Sequence, residues 1–312
     1  MKDRPPVLCI VGPTACGKTS LSVELAKCVS GEIVSADAVA VYRGLDIGSA
    51  KPSLEERQGV AHHMIDCVDL ADNSFSASAY RVAARACIDD ILSRGKLPIL
   101  VGGSGLYVDA VFSDMRFSAP SDPEIRARVE REYDEDQTAV FETLRRVDGA
   151  SAERLHPNDR KRVVRALEVF LVSGRPFSEL NDSFESAQKN DGTYRTVRLG
   201  LIKPRDVLYN GIDRRVDRMI SAGLTEEAFD LFRNGFTPDR YKAMQSIGYA
   251  QLYPVFCGET SLQEAIDRIK QDTRRFAKRQ ITWFKRNRET IWFDTDRLPE
   301  TEIINQVLEL LK

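Results

Sequence analysis

The 312-residue sequence contains no long hydrophobic run. Its longest apolar stretches, such as Pro98–Val101, fall far short of the roughly 20 residues a spanning helix needs, so no membrane association is predicted. Near the N-terminus Lys2 and Arg4 are followed by Pro5–Pro6 and a short apolar run that stops at Gly12, which does not make a secretory leader. Six cysteines without C-x-x-C spacing and three histidines without ligand spacing exclude a disulfide scaffold and a zinc module. Free thiols and a cytoplasmic protein are the expectation. Net charge is also scarce: 45 Lys+Arg against 47 Asp+Glu leaves −2, whereas nucleic-acid binders usually read as basic. Internal repeats and low-complexity segments are missing too. The 42% apolar and 29% charged composition is that of a globular protein, and the length predicts about two domains.

Short β-branched runs alternate with helical stretches in the first third of the chain. Val7–Val11, Glu32–Ser35 and Pro98–Val101 read as buried strands. Thr19–Val29 reads as a helix with Leu21, Leu25 and Cys28 on one face, and Ala77–Ser93 as a helix with Val82, Ala86 and Ile91 inward. This order predicts an α/β fold, a P-loop core with a parallel sheet covered by helices. From about Ser118 the texture turns helical and charged, residues 178–194 are polar and turn-rich, and Val197–Ile202 returns to strand character. The boundaries drawn are a core at 1–117 and 196–312, with a helical insertion domain at 118–195.

Gly12-Pro13-Thr14-Ala15-Cys16-Gly17-Lys18-Thr19 fits G-x-x-x-x-G-K-[ST] between a strand and a helix, the context that motif requires. Backbone amides and the helix N-terminus would cradle a phosphate, Lys18 would add a mobile charge, and the Thr19 hydroxyl is a natural Mg²⁺ ligand. Such a loop signals a polyphosphate without saying which, ATP or another nucleotide on one side, an allylic pyrophosphate on the other. A second glycine-rich turn, Gly102-Gly103-Ser104-Gly105, follows the third strand; its glycines suggest close approach to a ligand, or simply a tight turn. Asp37 ends the second strand, where a carboxylate can hold a metal through water, act as a general base, or fix a turn. His62-His63 reads as a structural pair.

Together these pieces resemble the tRNA dimethylallyltransferase (tRNA isopentenyltransferase) family, bacterial type. The matching stretches are GPTACGKT (12–19), SADAVAVYRGLDIGSAKP (35–52), HHMID (62–66), GKLPILVGGSGLY (95–107), NDRKRVVRALEVF (158–170), LYNGIDRRVDRMISAGLTEEA (208–228), MQSIGY (244–249) and RRFAKRQITWF (274–284). The resemblance implies Mg²⁺-dependent transfer of a dimethylallyl group from its diphosphate to the exocyclic amine of the adenosine just 3′ of the anticodon, in tRNAs reading codons that begin with U. It implies Asp37 as general base, Ser104 near the bridging oxygen, and Lys18, Thr19 with Mg²⁺ and Arg215 on the diphosphate. Four positions depart from the family's common pattern. Ala38 and Ala40 stand where Ser and Gln are frequent, Ser104 where Thr is usual, and Gly211 where Arg is usual.

Arg268–Arg288 holds nine basic residues against one acid, with Arg268, Arg275, Arg279 and Arg286 at helical spacing. Arg154–Arg165 holds five basic residues against Asp159. The near-zero total therefore averages basic strips against an acidic remainder, and RNA binding is not excluded. The tRNA-contact set is drawn as Asp37, Ala38, Val39, Ala40, Ser104, Arg126, Lys161, Arg162, Val163, Val164, Arg165, Arg275 and Arg279. Expected partners are tRNA and dimethylallyl diphosphate, with the protein a monomer. Two enzymatic alternatives remain, an isopentenyltransferase acting on free adenine nucleotides and a P-loop small-molecule kinase. A GTPase switch is disfavoured because no N-K-x-D motif occurs.

Overall fold

The runs PVLCIV and PILVG are apolar throughout, and EIVSA carries Ile33 and Val34 in succession, instead of alternating, as strands covered on both faces must be. The computed structural model describes residues 4–115, 117, 121–180 and 191–312. In it, β1 (Pro6–Val11), β2 (Glu32–Ala36), β3 (His62–His63), β4 (Pro98–Gly102), β5 (Arg195–Ile202) and β6 (Ile291–Asp294) form one parallel sheet in the order β3-β2-β4-β1-β5-β6. The helices of this core are α1 (Lys18–Cys28), α2 (Leu54–Arg57), α3 (Ala77–Ser93) and α4 (Gly105–Phe112), then, after the insertion, five more. Those five are α10 (Arg205–Ser221), α11 (Leu224–Arg233), α12 (Tyr249–Phe256), α13 (Leu262–Phe284) and α14 (Glu300–Leu311). Alternate residues of β1 enter two cores: Val7, Cys9 and Val11 pack with α3, α4 and α11–α13, whereas Leu8 and Ile10 pack with α1 and α14.

The chain divides into two compact units, residues 1–112 with 192–312, and residues 113–191. The second unit holds α5 (Pro123–Glu135), α6 (Gln137–Val147), α7 (Gly149–Arg154), α8 (Arg160–Ser173) and α9 (Phe177–Leu180) around its own apolar core. Most of the polar, turn-rich stretch expected at 178–194, namely residues 181–190, lies outside the described residues.

Some faces differ from the sequence reading. In α3 the buried positions are Tyr80, Ala84, Ile88 and Ile91, while Val82 is 70% exposed and Ala86 is exposed. The tyrosine sets the face: its ring stacks on Tyr107 and its hydroxyl donates to the Ser35 carbonyl at 2.8 Å. Cys28, at the last turn of α1, is exposed. The strands β3 and β6 were not anticipated, being two and four residues long.

His63 is a structural residue. Its Nε2 meets Glu32 at 2.7 Å, and Arg94 and Lys96 reach the same buried carboxylate at 2.5 and 2.7 Å. The Arg94 hydrogen bond is the main cause that holds the Glu32 carboxyl well below the usual carboxylate range; burial opposes it, and Lys96 and His63 add to it. A depressed folded-state pKa means the stabilisation is present above the ordinary carboxylate pKa and lost as pH falls below it. Glu32→Gln is expected to cost about 2 kcal/mol near pH 7, less than a wholly buried pair because the cations reach solvent. Denaturant melts at pH 7 and pH 3 would measure this, and the gap between wild type and variant should narrow at pH 3.

Candidate active site

Three strand ends meet at one level of the sheet. Val11 of β1 and Ala36 of β2 both register with Gly102 of β4, so the 12–19 loop, Asp37 and the 103–105 turn begin side by side. In open parallel sheets this carboxyl edge is where ligands sit. Gly12 has φ +148°, and a Cβ there would lie 2.5 Å from the Leu201 carbonyl, so only glycine fits. Ala15 holds φ +63°, a left-handed conformation that costs energy in a non-glycine residue and marks a strained loop. No side chain caps the N-terminus of α1, so its amide donors stay available to an anion. Lys18 Nζ donates to the Gly12 and Pro13 carbonyls at 3.0 and 2.7 Å.

Asp37 serves the turn and has capacity left over. Its Oδ1 accepts the Val39 and Ala40 amides at 2.8 and 3.1 Å. Ser104 Oγ accepts the Ala38 amide at 2.9 Å, which ties the second glycine turn to the backbone beside Asp37. Backbone N–H groups thus do the local bonding around Ala38 and Ala40, which have no polar side chain of their own.

The positive charges gather at the same place. Burial lowers the Lys18 ammonium pKa; Cys16 opposes that, Arg215 adds to it, and Asp37 opposes it. Burial likewise lowers the Arg215 pKa, opposed first by Asp37. Arg215 lies on α10 beside the buried stripe Leu208, Ile212 and Val216, and its charge is felt at the loop. Gly211, one turn earlier, faces Ala15: a Cβ there would meet only the Ala15 methyl and carbonyl, at 3.9 and 4.0 Å.

The glycines of the second turn let other parts of the protein approach closely. A Cβ on Gly102 would lie 2.0 Å from the Ala36 carbonyl, one on Gly103 2.2 Å from Gln280 Nε2, and one on Gly105 2.3 Å from the Trp283 ring. Helix α13 therefore lies directly on this turn. Gln280 and Trp283 were missed as site residues by sequence reasoning. Trp283 donates its indole N–H to Asp109 at 2.8 Å.

The loop after Asp37 is anchored from α11. Glu227 accepts the amides of Asp46, Ile47 and Gly48 at 3.0, 2.9 and 3.1 Å, and the Tyr249 hydroxyl at 2.5 Å.

The basic strips divide into used and exposed cations. On α13, Lys270 and Arg274 are paired with Asp217 and Asp213 of α10. Arg275 is 56% exposed beside Asp272, and Arg279 is exposed with its guanidinium over the Phe276 ring. In the helical unit Lys161 and Arg162 are exposed. Val163 and Val164, drawn into the contact set with them, are 0% and 2% exposed in that unit's core, so neither side chain is available to RNA. Ala40 is buried as well. Arg126 and Arg165 meet the buried Glu168 carboxylate at 2.7 and 2.8 Å and so hold the helical unit together.

A parallel sheet carrying a glycine-rich strand–loop–helix, an Asp and a Ser at one carboxyl edge, with the charge of one arginine from a later helix felt there, defines an α/β protein of the P-loop kind. Residues 40–287 match the family model described as IPP transferase, and the chain belongs to that family. It is 41% identical to the tRNA dimethylallyltransferase of Pelotomaculum thermopropionicum, across 97% of this chain and 95% of that one. It is similar to the crystal structure of a tRNA delta(2)-isopentenylpyrophosphate transferase from Staphylococcus epidermidis, with TM-score 0.72 and 37% identity over 99% of both chains. A eukaryotic dimethylallyltransferase acting on tRNA matches with TM-score 0.78 and 28% identity over 97% of this chain and 78% of that one.

Proposed function

We propose that this protein is a cytoplasmic, monomeric tRNA dimethylallyltransferase. It would transfer the dimethylallyl group of dimethylallyl diphosphate to N6 of the adenosine 3′-adjacent to the anticodon, in tRNAs reading codons that begin with U. The observation that carries the reading is the convergence of Asp37, Ser104, Lys18 and the 12–19 loop at one sheet edge, with the Arg215 charge felt there.

An adenine amine is a poor nucleophile until it loses a proton. The Asp37 carboxylate accepts that proton as the N6–C bond forms and the allylic C–O bond breaks. Pyrophosphate departs into the 12–19 loop. Amides at the start of α1, Lys18 and Arg215 stabilise the charge it gains, and they are fixed before the reaction begins. Ser104 Oγ keeps the base and the leaving-group pocket in register through the Ala38 amide.

Among the described residues no group of three or more His, Cys, Asp or Glu is placed to hold a metal. The exposed Thr19 hydroxyl at the start of α1 is an oxygen donor of the kind Mg²⁺ takes, and it would hold the ion together with phosphate oxygens and waters. Mg²⁺ when bound would neutralise part of the pyrophosphate charge. A modified base must leave its stack to reach such an edge, so the target nucleotide is expected to be flipped.

The test is to incubate the protein with Mg²⁺ and labelled dimethylallyl diphosphate, offering tRNA, AMP or ATP separately. Label in tRNA alone is the expected result. Label in AMP would favour the free-nucleotide enzyme, and ATP turnover without prenyl transfer would favour a kinase.

A further inference from the structure

Gln280 is the one polar residue on the otherwise apolar buried side of α13, among Ala265, Ile269, Ala277 and Phe284. It is 5% exposed, and burying an amide is costly unless both of its ends are bonded. Both are. Oε1 accepts the Thr14 amide at 2.9 Å, and Nε2 donates to the Gly103 carbonyl at 2.9 Å. One planar group thus joins the 12–19 loop to the turn that carries Ser104. Gly103 has no Cβ because Nε2 would lie 2.2 Å from it. A second tie reaches the same loop from the turn after β6, where Thr295 Oγ1 donates to the Cys16 carbonyl at 3.0 Å.

We infer that Gln280 is a positioning residue for the transfer reaction: its carboxamide holds the diphosphate loop at a set distance from the Ser104–Asp37 side of the site. The chemistry demands a carboxamide because one neighbour is a donor and the other an acceptor. A carboxylate accepts from Thr14 but sets an oxygen against the Gly103 carbonyl. A protonated carboxyl restores the donor. A methionine fills the space and makes neither bond. The inference rests on the prenyl-transfer reading above.

The experiment compares wild type, Gln280→Glu and Gln280→Met for kcat, KM for dimethylallyl diphosphate, tRNA binding and thermal melting. At pH 8 both variants are expected to lose on the order of tenfold in kcat/KM for the diphosphate, the scale of one unpaired buried group, with tRNA affinity within twofold of wild type. The distinguishing readout is the pH profile. Burial raises a carboxyl pKa, so the Gln280→Glu defect should shrink between pH 8 and pH 6 relative to wild type, whereas the Gln280→Met defect should not. Equal defects at every pH, or diphosphate kinetics unchanged in folded variants, would overturn the inference. Gln280→Met carries the comparison if the charged variant melts early. Wild-type protein that fails to prenylate tRNA would instead overturn the reading on which the inference rests.

Discussion

Asp37→Asn is expected to lower the rate of prenyl transfer about a thousandfold while leaving diphosphate binding within a few-fold of wild type. The variant is chosen because an amide oxygen can still accept the Val39 and Ala40 amides that Asp37 Oδ1 accepts now, at 2.8 and 3.1 Å. The turn is kept and the proton acceptor is lost. A positioned general base contributes about 10² to 10⁴ in rate, which sets the expected size. In the proposed reaction the diphosphate would be held elsewhere, by the 12–19 loop, the α1 amides and Lys18, so its affinity is a separate readout. Single-turnover transfer to tRNA, paired with binding of a non-reactive diphosphate analogue, separates the two. Near-normal transfer by Asp37→Asn would remove the base role and leave Asp37 as a turn residue only.

The second large effect belongs to the outer face of α13. The double variant Arg275→Gln, Arg279→Gln is expected to weaken tRNA binding roughly ten- to a hundredfold at low salt. The slope of log affinity against log salt should flatten by about two, one for each lost phosphate contact. These arginines are suited to the test because neither holds the fold together. Arg275 is exposed and, among the described residues, pairs with the nearby Asp272, and Arg279 lies over the Phe276 ring. Exposed pairs of this kind are worth about 0–1 kcal/mol, so stability should change little. Lys270 and Arg274 would be poor choices, since they tie α13 to α10 through Asp217 and Asp213. An unchanged salt slope with normal folding would move the RNA surface away from α13.

What could be read directly from the chain was local. Buried strands announce themselves as continuous apolar runs, and the 12–19 motif carries its own strand and helix. Boundaries such as Ala77–Ser93 coincide with those observed. What could not be read depends on distant partners. The close neighbours of Gly103 and Gly105, Gln280 and Trp283, lie far along the chain, so no local pattern reveals them; the Gln280–Gly103 bond spans 177 positions. A signal for Gln280 did exist, since it falls in phase with Ala277 and Phe284 on an apolar stripe where a polar side chain needs partners. Val163 and Val164 sit among the cations of the 160–165 stretch in sequence, but around α8 they turn into the core. In α3 the period was right but the phase was set by Tyr80, whose partners come from β2 and α4.

The overall charge, −2 with 45 basic and 47 acidic residues, is compatible with an RNA enzyme because the cations are unevenly used. Several are consumed by ion pairs, as Arg94 and Lys96 are by Glu32 and Arg126 and Arg165 are by Glu168. Others are exposed on α13 and at Lys161–Arg162 on α8.

The most direct measurement is nucleoside mass spectrometry on tRNA incubated with the protein, Mg²⁺ and dimethylallyl diphosphate, then digested and mapped by fragment. The account predicts N6-dimethylallyladenosine in the fragment just 3′ of the anticodon, made by wild type and lost with Asp37→Asn. Unmodified adenosine throughout, or equal modification by the two proteins, would contradict it.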